Sequence, residues 1–131
     1  MHNPPPSIDC IVLVKCDNDN CYNLFLVELK DINSSDGLNK KNIVSKFKTT
    51  IDDFLLSKFQ EIFLEEEYCN FNCFFVTNPY HCRNMTQDEY DRKIHNEGLK
   101  LDYFNSIKPF EFQGKVSFIQ PILPNPMVSE C

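Results

Sequence analysis

The sequence predicts an α/β fold: a mixed β-sheet with an antiparallel hairpin and a packed amphipathic helix. Three observations predict it. Two apolar, β-branched runs, residues 8–15 and 22–31, flank a short polar turn and read as a hairpin. In residues 42–67 the apolar positions 43, 44, 47, 51, 54, 55, 59, 62 and 63 recur at steps of three and four, the period of an amphipathic helix. A further apolar run, residues 70–78, reads as a strand on which that helix can pack.

Each element follows from local chemistry. Residues 1–7 are Pro-rich and extended. The turn, 16–21, carries Asp-Asn-Asp-Asn, but it lacks the Gly and distal Glu of a calcium loop. Residues 32–41 are a loop of turn formers, and Asn42 is the expected cap of the long helix. Its acidic end, residues 65–67, opposes the macrodipole and predicts a frayed last turn. Residues 79–84 read as a loop. Residues 86–98 read as a short polar helix, with Thr86 and Glu89 as a capping box and Gly98 as the stop. Residues 108–123 predict one or two more strands. The 131 residues are the size of a single domain, with a core at 8–78 and a C-terminal extension at 79–131.

Composition narrows the function classes. The first residues have no basic and apolar leader pattern, and no apolar run reaches the roughly 18 residues of a membrane span. The expectation is a soluble, intracellular, cytoplasmic protein without a membrane partner. The net charge of −6 argues against a sequence-independent nucleic-acid binder, although Lys40, Lys41, Lys46 and Lys48 cluster locally. Seven cysteines without a leader read as thiols, with Cys10 and Cys73 as small buried hydrophobes. Cys16, Cys21, Cys69 and Cys73 offer a zinc set, but no tight CxxC pair supports it, and His81 beside Cys82 adds little. No Cys sits in a recognisable nucleophile setting, and His81 and His95 read as surface residues.

The chemistry-bearing stretch is "FLVELKDIN", residues 25–33, an apolar strand that ends in Glu28 and Lys30. Alternation points both side chains the same way, with Phe25, Val27 and Leu29 on the other face. With the turn near 17–20, antiparallel partners have numbers adding to about 37, which sets Asp9 opposite Glu28. Two adjacent carboxylates repel unless a cation lies between them. A hard divalent ion such as Mg²⁺ or Mn²⁺ fits that need, polarises a phosphate oxygen and acidifies a bound water. A neighbouring lysine steadies the developing charge.

Asp9 followed by Glu28-Leu29-Lys30 on a hairpin, then an amphipathic helix, resembles the PD-(D/E)XK nuclease superfamily. The resemblance covers residues 8–78. It implies a restriction-endonuclease-like core and Mg²⁺-dependent hydrolysis of DNA or RNA phosphodiesters. Asp9 and Glu28 would then bind metal, Lys30 would orient or activate water, and Lys46 would contact substrate or water. The chain departs from the family in lacking the usual N-terminal helix, and Ile8 stands where the motif has Pro. A homodimer or a partner protein would supply substrate grip. The residues also support other readings: an exposed Glu28–Lys30 ion pair, Asp9 as a strand-start cap, or a non-catalytic α/β binding or assembly module that uses its Phe-rich last third. Metal affinity that depends on Asp9 and Glu28 separates enzyme from module.

Overall fold

The structure, a computed structural model, describes residues 7–16, 21–30, 39–58, 67–77, 85–97 and 100–123. The two runs beside the polar turn pair as an antiparallel hairpin of β1 (Cys10–Lys15) and β2 (Tyr22–Leu29). Partner numbers add to 37 throughout, as in Cys10 with Val27 and Lys15 with Tyr22. This is the register expected from the turn.

Helix α1 (Lys40–Thr49) follows and runs on into a π-helical segment, Thr50–Lys58. Next come β3 (Tyr68–Val76), α2 (Gln87–Glu97), a 3-10 turn (Lys100–Asp102) and the single turn α3 (Tyr103–Ser106). Three short strands follow: β4 (Phe110–Phe112), β5 (Lys115–Ser117) and β6 (Ile119–Ile122). The main sheet has the order β1-β2-β3-β6. β2, β3 and β6 are parallel neighbours, so the sheet is mixed. Parallel strands need a long crossover, and α1 with its continuation lies between β2 and β3. β4 and β5 form a separate hairpin. Its turn takes positive φ at Gln113 (50°) and Gly114 (78°), the backbone of a tight two-residue hairpin.

One face of the sheet carries the core. Leu24 and Leu26 of β2, Phe71, Cys73 and Phe75 of β3, and Ile119 of β6 are buried in one cluster with Ile43, Phe47, Ile51 and Leu55. Tyr90 and Ile94 of α2 and Phe104 of α3 join it, and the Phe75 and Phe104 rings meet edge to face at 5.6 Å.

Several expectations need correction. The cap of α1 is Asn39, not Asn42: its side chain accepts the Asn42 N–H at 3.1 Å. Either Asn can cap, and packing of Ile43 and Phe47 decides which turn is first. The helical stretch changes to π geometry at Thr50, which periodicity could not reveal, because Ile51 and Leu55 keep a step of four. β3 begins two residues early, at Tyr68, and the last third holds three strands. Cys10 is exposed, because it lies on the edge strand. Half of the capping box forms, with Thr86 Oγ1 accepting the Glu89 N–H at 3.2 Å. Residues 65 and 66, the loop 79–84 and Gly98 lie outside the described residues. No described helix is long and apolar enough to cross a membrane.

Phe47 is fully buried under the sheet. Phe47→Ala is expected to cost about 3–5 kcal/mol. Urea unfolding should show this as a lower midpoint with an unchanged slope.

Candidate functional site

β2 alternates Leu24, Leu26 and Glu28 toward the helix, and all three are buried. The inward row therefore ends on a carboxyl that is only 1% exposed. Across from it, Lys46 of α1 brings Nζ to 2.8 Å from Glu28 Oε2 and is itself 24% exposed. Asp9 stands just before β1. Its Oδ2 accepts the Leu29 N–H at 2.9 Å, so a side chain completes the ladder where the strand stops. Asp9 opens on a cleft of about 260 Å³ that it lines with Ile8, Cys10 and Thr50.

Thr50 was not legible as a site residue. Its Oγ1 accepts the Ile8 N–H at 3.1 Å and donates to the Lys46 carbonyl at 2.8 Å. One buried hydroxyl thus ties the backbone beside Asp9 to the helix turn that carries Lys46. The available signal was its place four residues after Lys46, since Thr in a helix bonds back to that carbonyl.

The two carboxyls are electrostatically split. Hydrogen bonding to Glu28 holds the Asp9 carboxyl below its usual range. Its slight burial opposes this, while the Leu29 N–H, Lys46 and Lys30 assist. Burial pushes the Glu28 carboxyl up, Asp9 pushes it further, and Lys46 pulls the other way. Lys46 is an ion partner to Glu28, yet neither Glu28 oxygen receives a well-directed hydrogen bond among the described residues. Two ionised carboxylates have no proton to give each other. An Asp9–Glu28 hydrogen bond therefore requires a proton on one of the two carboxyls, in keeping with the raised Glu28.

The other predicted residues are placed as follows. Lys30 lies just past β2 with an exposed side chain, and its backbone N–H donates to the Val76 carbonyl at 3.1 Å. It acts on Asp9 through charge. Lys46 contacts Glu28 itself, the most direct contact in the group. The lysine cluster disperses: Lys40 sits over the Tyr103 ring at 4.6 Å, and Lys41 and Lys48 face solvent. His95 is exposed, 3.9 Å from Asp102, and His81 lies outside the described residues. Of the proposed zinc set, Cys16, Cys21 and Cys69 come together, but Cys16 is disulfide-bonded and not the thiol the sequence suggested. Cys73 does not join them. It is in the core, its N–H donates to Ser117 Oγ at 3.1 Å, and burial pushes its thiol far up.

No family model matches the chain, and neither a curated protein nor a solved structure shows significant similarity to it.

Two outcomes are expected from this geometry. Thr50→Val strands the Ile8 N–H and should cost about 1–3 kcal/mol in urea unfolding. The second concerns pH. Glu28 is raised in the folded state, so over its window the native chain binds more protons than the unfolded one. Its contribution is therefore full below the ordinary glutamate range and is lost as pH rises through the raised value. Asp9 acts in the opposite sense in a lower window, losing its contribution as pH falls, and solvent weakens it because it is exposed. In chelator-containing buffer, wild-type stability should fall across the Glu28 window, and Glu28→Gln should flatten that fall. An equal fall in the variant would locate its source elsewhere.

Proposed function

We propose that the carboxyl end of β2 is the active site of a metal-dependent phosphodiesterase of the PD-(D/E)XK kind, acting on nucleic acid. The observation that carries this reading is the juxtaposition of Asp9 and Glu28, with Glu28 buried against Lys46 and its oxygens lacking directed donors. The hairpin, helix and parallel strand that build the corner support the restriction-endonuclease-like core.

The donor set fits Mg²⁺ or Mn²⁺. It offers the oxygens of two neighbouring carboxyls, the ligands hard cations take, beside the Lys46 ammonium that pairs with Glu28. Asp9 and Glu28 would hold the ion. When bound, it would polarise a phosphate oxygen and acidify a water. Asp9, with its carboxyl held down, stays ionised as a ligand at neutral pH. Lys46 favours the ionised form of Glu28. Lys30, exposed at the strand end, orients the attacking water and offsets charge that develops on the phosphate. The chain's net charge is −6, so grip on nucleic acid comes from local cations such as Lys30, Lys41 and Lys48, or from a second subunit.

The test is cleavage of mixed DNA and RNA substrates with Mg²⁺ or Mn²⁺. Asp9→Asn, Glu28→Gln and Lys30→Ala should each lower the rate by at least about a hundredfold with folding intact. Mn²⁺ binding to the two carboxyl variants, read by calorimetry, should weaken in parallel. A wild type that neither cleaves nor binds Mn²⁺ through Asp9 and Glu28 would overturn the reading in favour of a non-catalytic binding module.

A further inference from the structure

The two edges of the main sheet are treated differently. β6 forms one edge, and α2 guards it. Gln87 Nε2 donates to the Pro121 carbonyl at 3.0 Å, and Gln87 Oε1 accepts the Leu123 N–H at 3.0 Å. One side chain thus occupies backbone groups that a further strand would need, and Pro121 has no N–H to offer. β1 forms the other edge. Its six residues, CIVLVK, include no Pro and no Gly, and they pair with β2 without a bulge. Among the described residues, no strand and no side-chain hydrogen bond closes that edge.

Which backbone groups face outward follows from the hairpin. The Cys16 N–H donates to the carbonyl of Cys21, its direct partner in the register, at 3.1 Å. That marks a hydrogen-bonded pair, and such pairs alternate with non-hydrogen-bonded ones. Cys10, Val12 and Val14 therefore bond to β2. Ile11, Leu13 and Lys15 turn their N–H and C=O groups away from it.

We propose that β1 pairs with β1 of a second copy, antiparallel about a two-fold axis, with Ile11 of each copy opposite Leu13 of the other. Outward groups must meet outward groups, so the allowed registers differ by steps of two residues. Charge selects among them. The proposed register brings Lys15 of each copy level with Asp9 of the other, one residue before the strand, at both ends of the pair. Setting Leu13 on itself would leave Lys15 facing Ile11. Asp9 and Lys15 are the only charges in residues 9–15, so this strip escapes the repulsion expected between chains of net charge −6. The apolar side chains agree. Ile11 and Leu13 stand on the helix face of the sheet, opposite Leu26 and Leu24. Ile11 already packs on the core, whereas Leu13 is 41% exposed. Pairing sets each Leu13 beside Ile11 of the other copy and continues the core across the axis. The contact is isologous, and with β6 guarded the assembly closes at two copies.

The pairing rests on backbone geometry and not on the nuclease reading. It does bear on that reading at one point. Asp9 Oδ2 accepts the Leu29 N–H, and Lys15 of the second copy supplies a cation on the same carboxyl's open side.

The test uses full-length protein, disulfide intact and free of metal, in sedimentation equilibrium. A dimer is expected at tens of micromolar, as for a small interface. Leu13→Lys puts a charge on the edge and should raise the Kd by at least about tenfold, with circular dichroism unchanged. Lys15→Glu sets like charges together at both ends and should weaken the dimer by about threefold to tenfold. The register is read by disulfide trapping in a Cys10→Ser background, which removes the exposed native thiol. Val12 lies on the axis in a non-hydrogen-bonded pair, with Cα atoms about 4.5 Å apart and within disulfide reach. Val12→Cys should therefore form an intersubunit disulfide on mild oxidation, and Leu13→Cys should not. Val12→Cys removes none of the edge contacts, so it keeps the test readable if Leu13→Lys unfolds. A monomer at hundreds of micromolar would overturn the proposal. So would a dimer indifferent to both edge variants, or trapping at Leu13 in place of Val12.

Discussion

The register of one hairpin governs this molecule. Because β1 and β2 pair with Cys10 on Val27 and Lys15 on Tyr22, Asp9 meets the end of β2 on one side and Cys16 meets Cys21 on the other. A slip of one residue would move Glu28 off Asp9. It would also turn every side chain of the shifted strand to the opposite face of the sheet. The apolar row of Leu24 and Leu26 prevents that slip. Both are fully buried in the cluster with the helix, and a slip would put Asn23, Phe25 and Val27 in their place there. Core packing thus fixes the positions of the polar groups that do no packing of their own.

Glu28 is the counter-current in that scheme. A buried carboxyl at the end of an apolar row costs stability relative to a Val or Leu, and its pairing with Lys46 recovers only part of the desolvation. Nothing in the sheet needs a charge there. The supporting contacts are nonetheless built with care: Thr50 binds the Ile8 N–H and the Lys46 carbonyl at once, and Asp9 caps the Leu29 N–H. An arrangement that spends stability to hold two acids and a lysine together is what an active site requires, and it is the reason the catalytic reading is preferred over a surface ion pair.

How much of this was legible follows from range and rigidity. The Asp9–Glu28 meeting could be read because a hairpin with a short turn maps sequence distance onto pairing with little freedom. The long helix could be read because Ile43, Phe47, Ile51 and Leu55 keep one face, although the change to π geometry leaves that spacing intact. The Lys46–Glu28 contact could not be read as an ion pair, since it depends on the angle at which α1 crosses the sheet. Cys69 could be grouped with Cys16 and Cys21 but not separated from Cys73, because the pairing of β3 with β2 is parallel, non-local and shifted by a bulge. Exposure of Cys10 follows from β1 being an edge strand, which local composition does not disclose.

The direction of the strands separates the two ends in kind. β2, β3 and β6 are parallel, so their carboxyl ends gather on one side, where Lys30 N–H reaches the Val76 carbonyl and Thr77 N–H reaches that of Ile122. In open α/β sheets, ligands bind outside the carboxyl ends of such strands. The antiparallel β1 alone can deliver its amino end to that side, and it delivers Asp9. The amino ends of β2 and β3 gather at the other side, where β1 finishes with Cys16. Carboxyls and Lys30 therefore stand where the chain leaves its parallel strands, and cysteines stand where it enters them. The parallel direction of the strands thus explains why the polar groups of the proposed site collect at one end of the sheet and not at both.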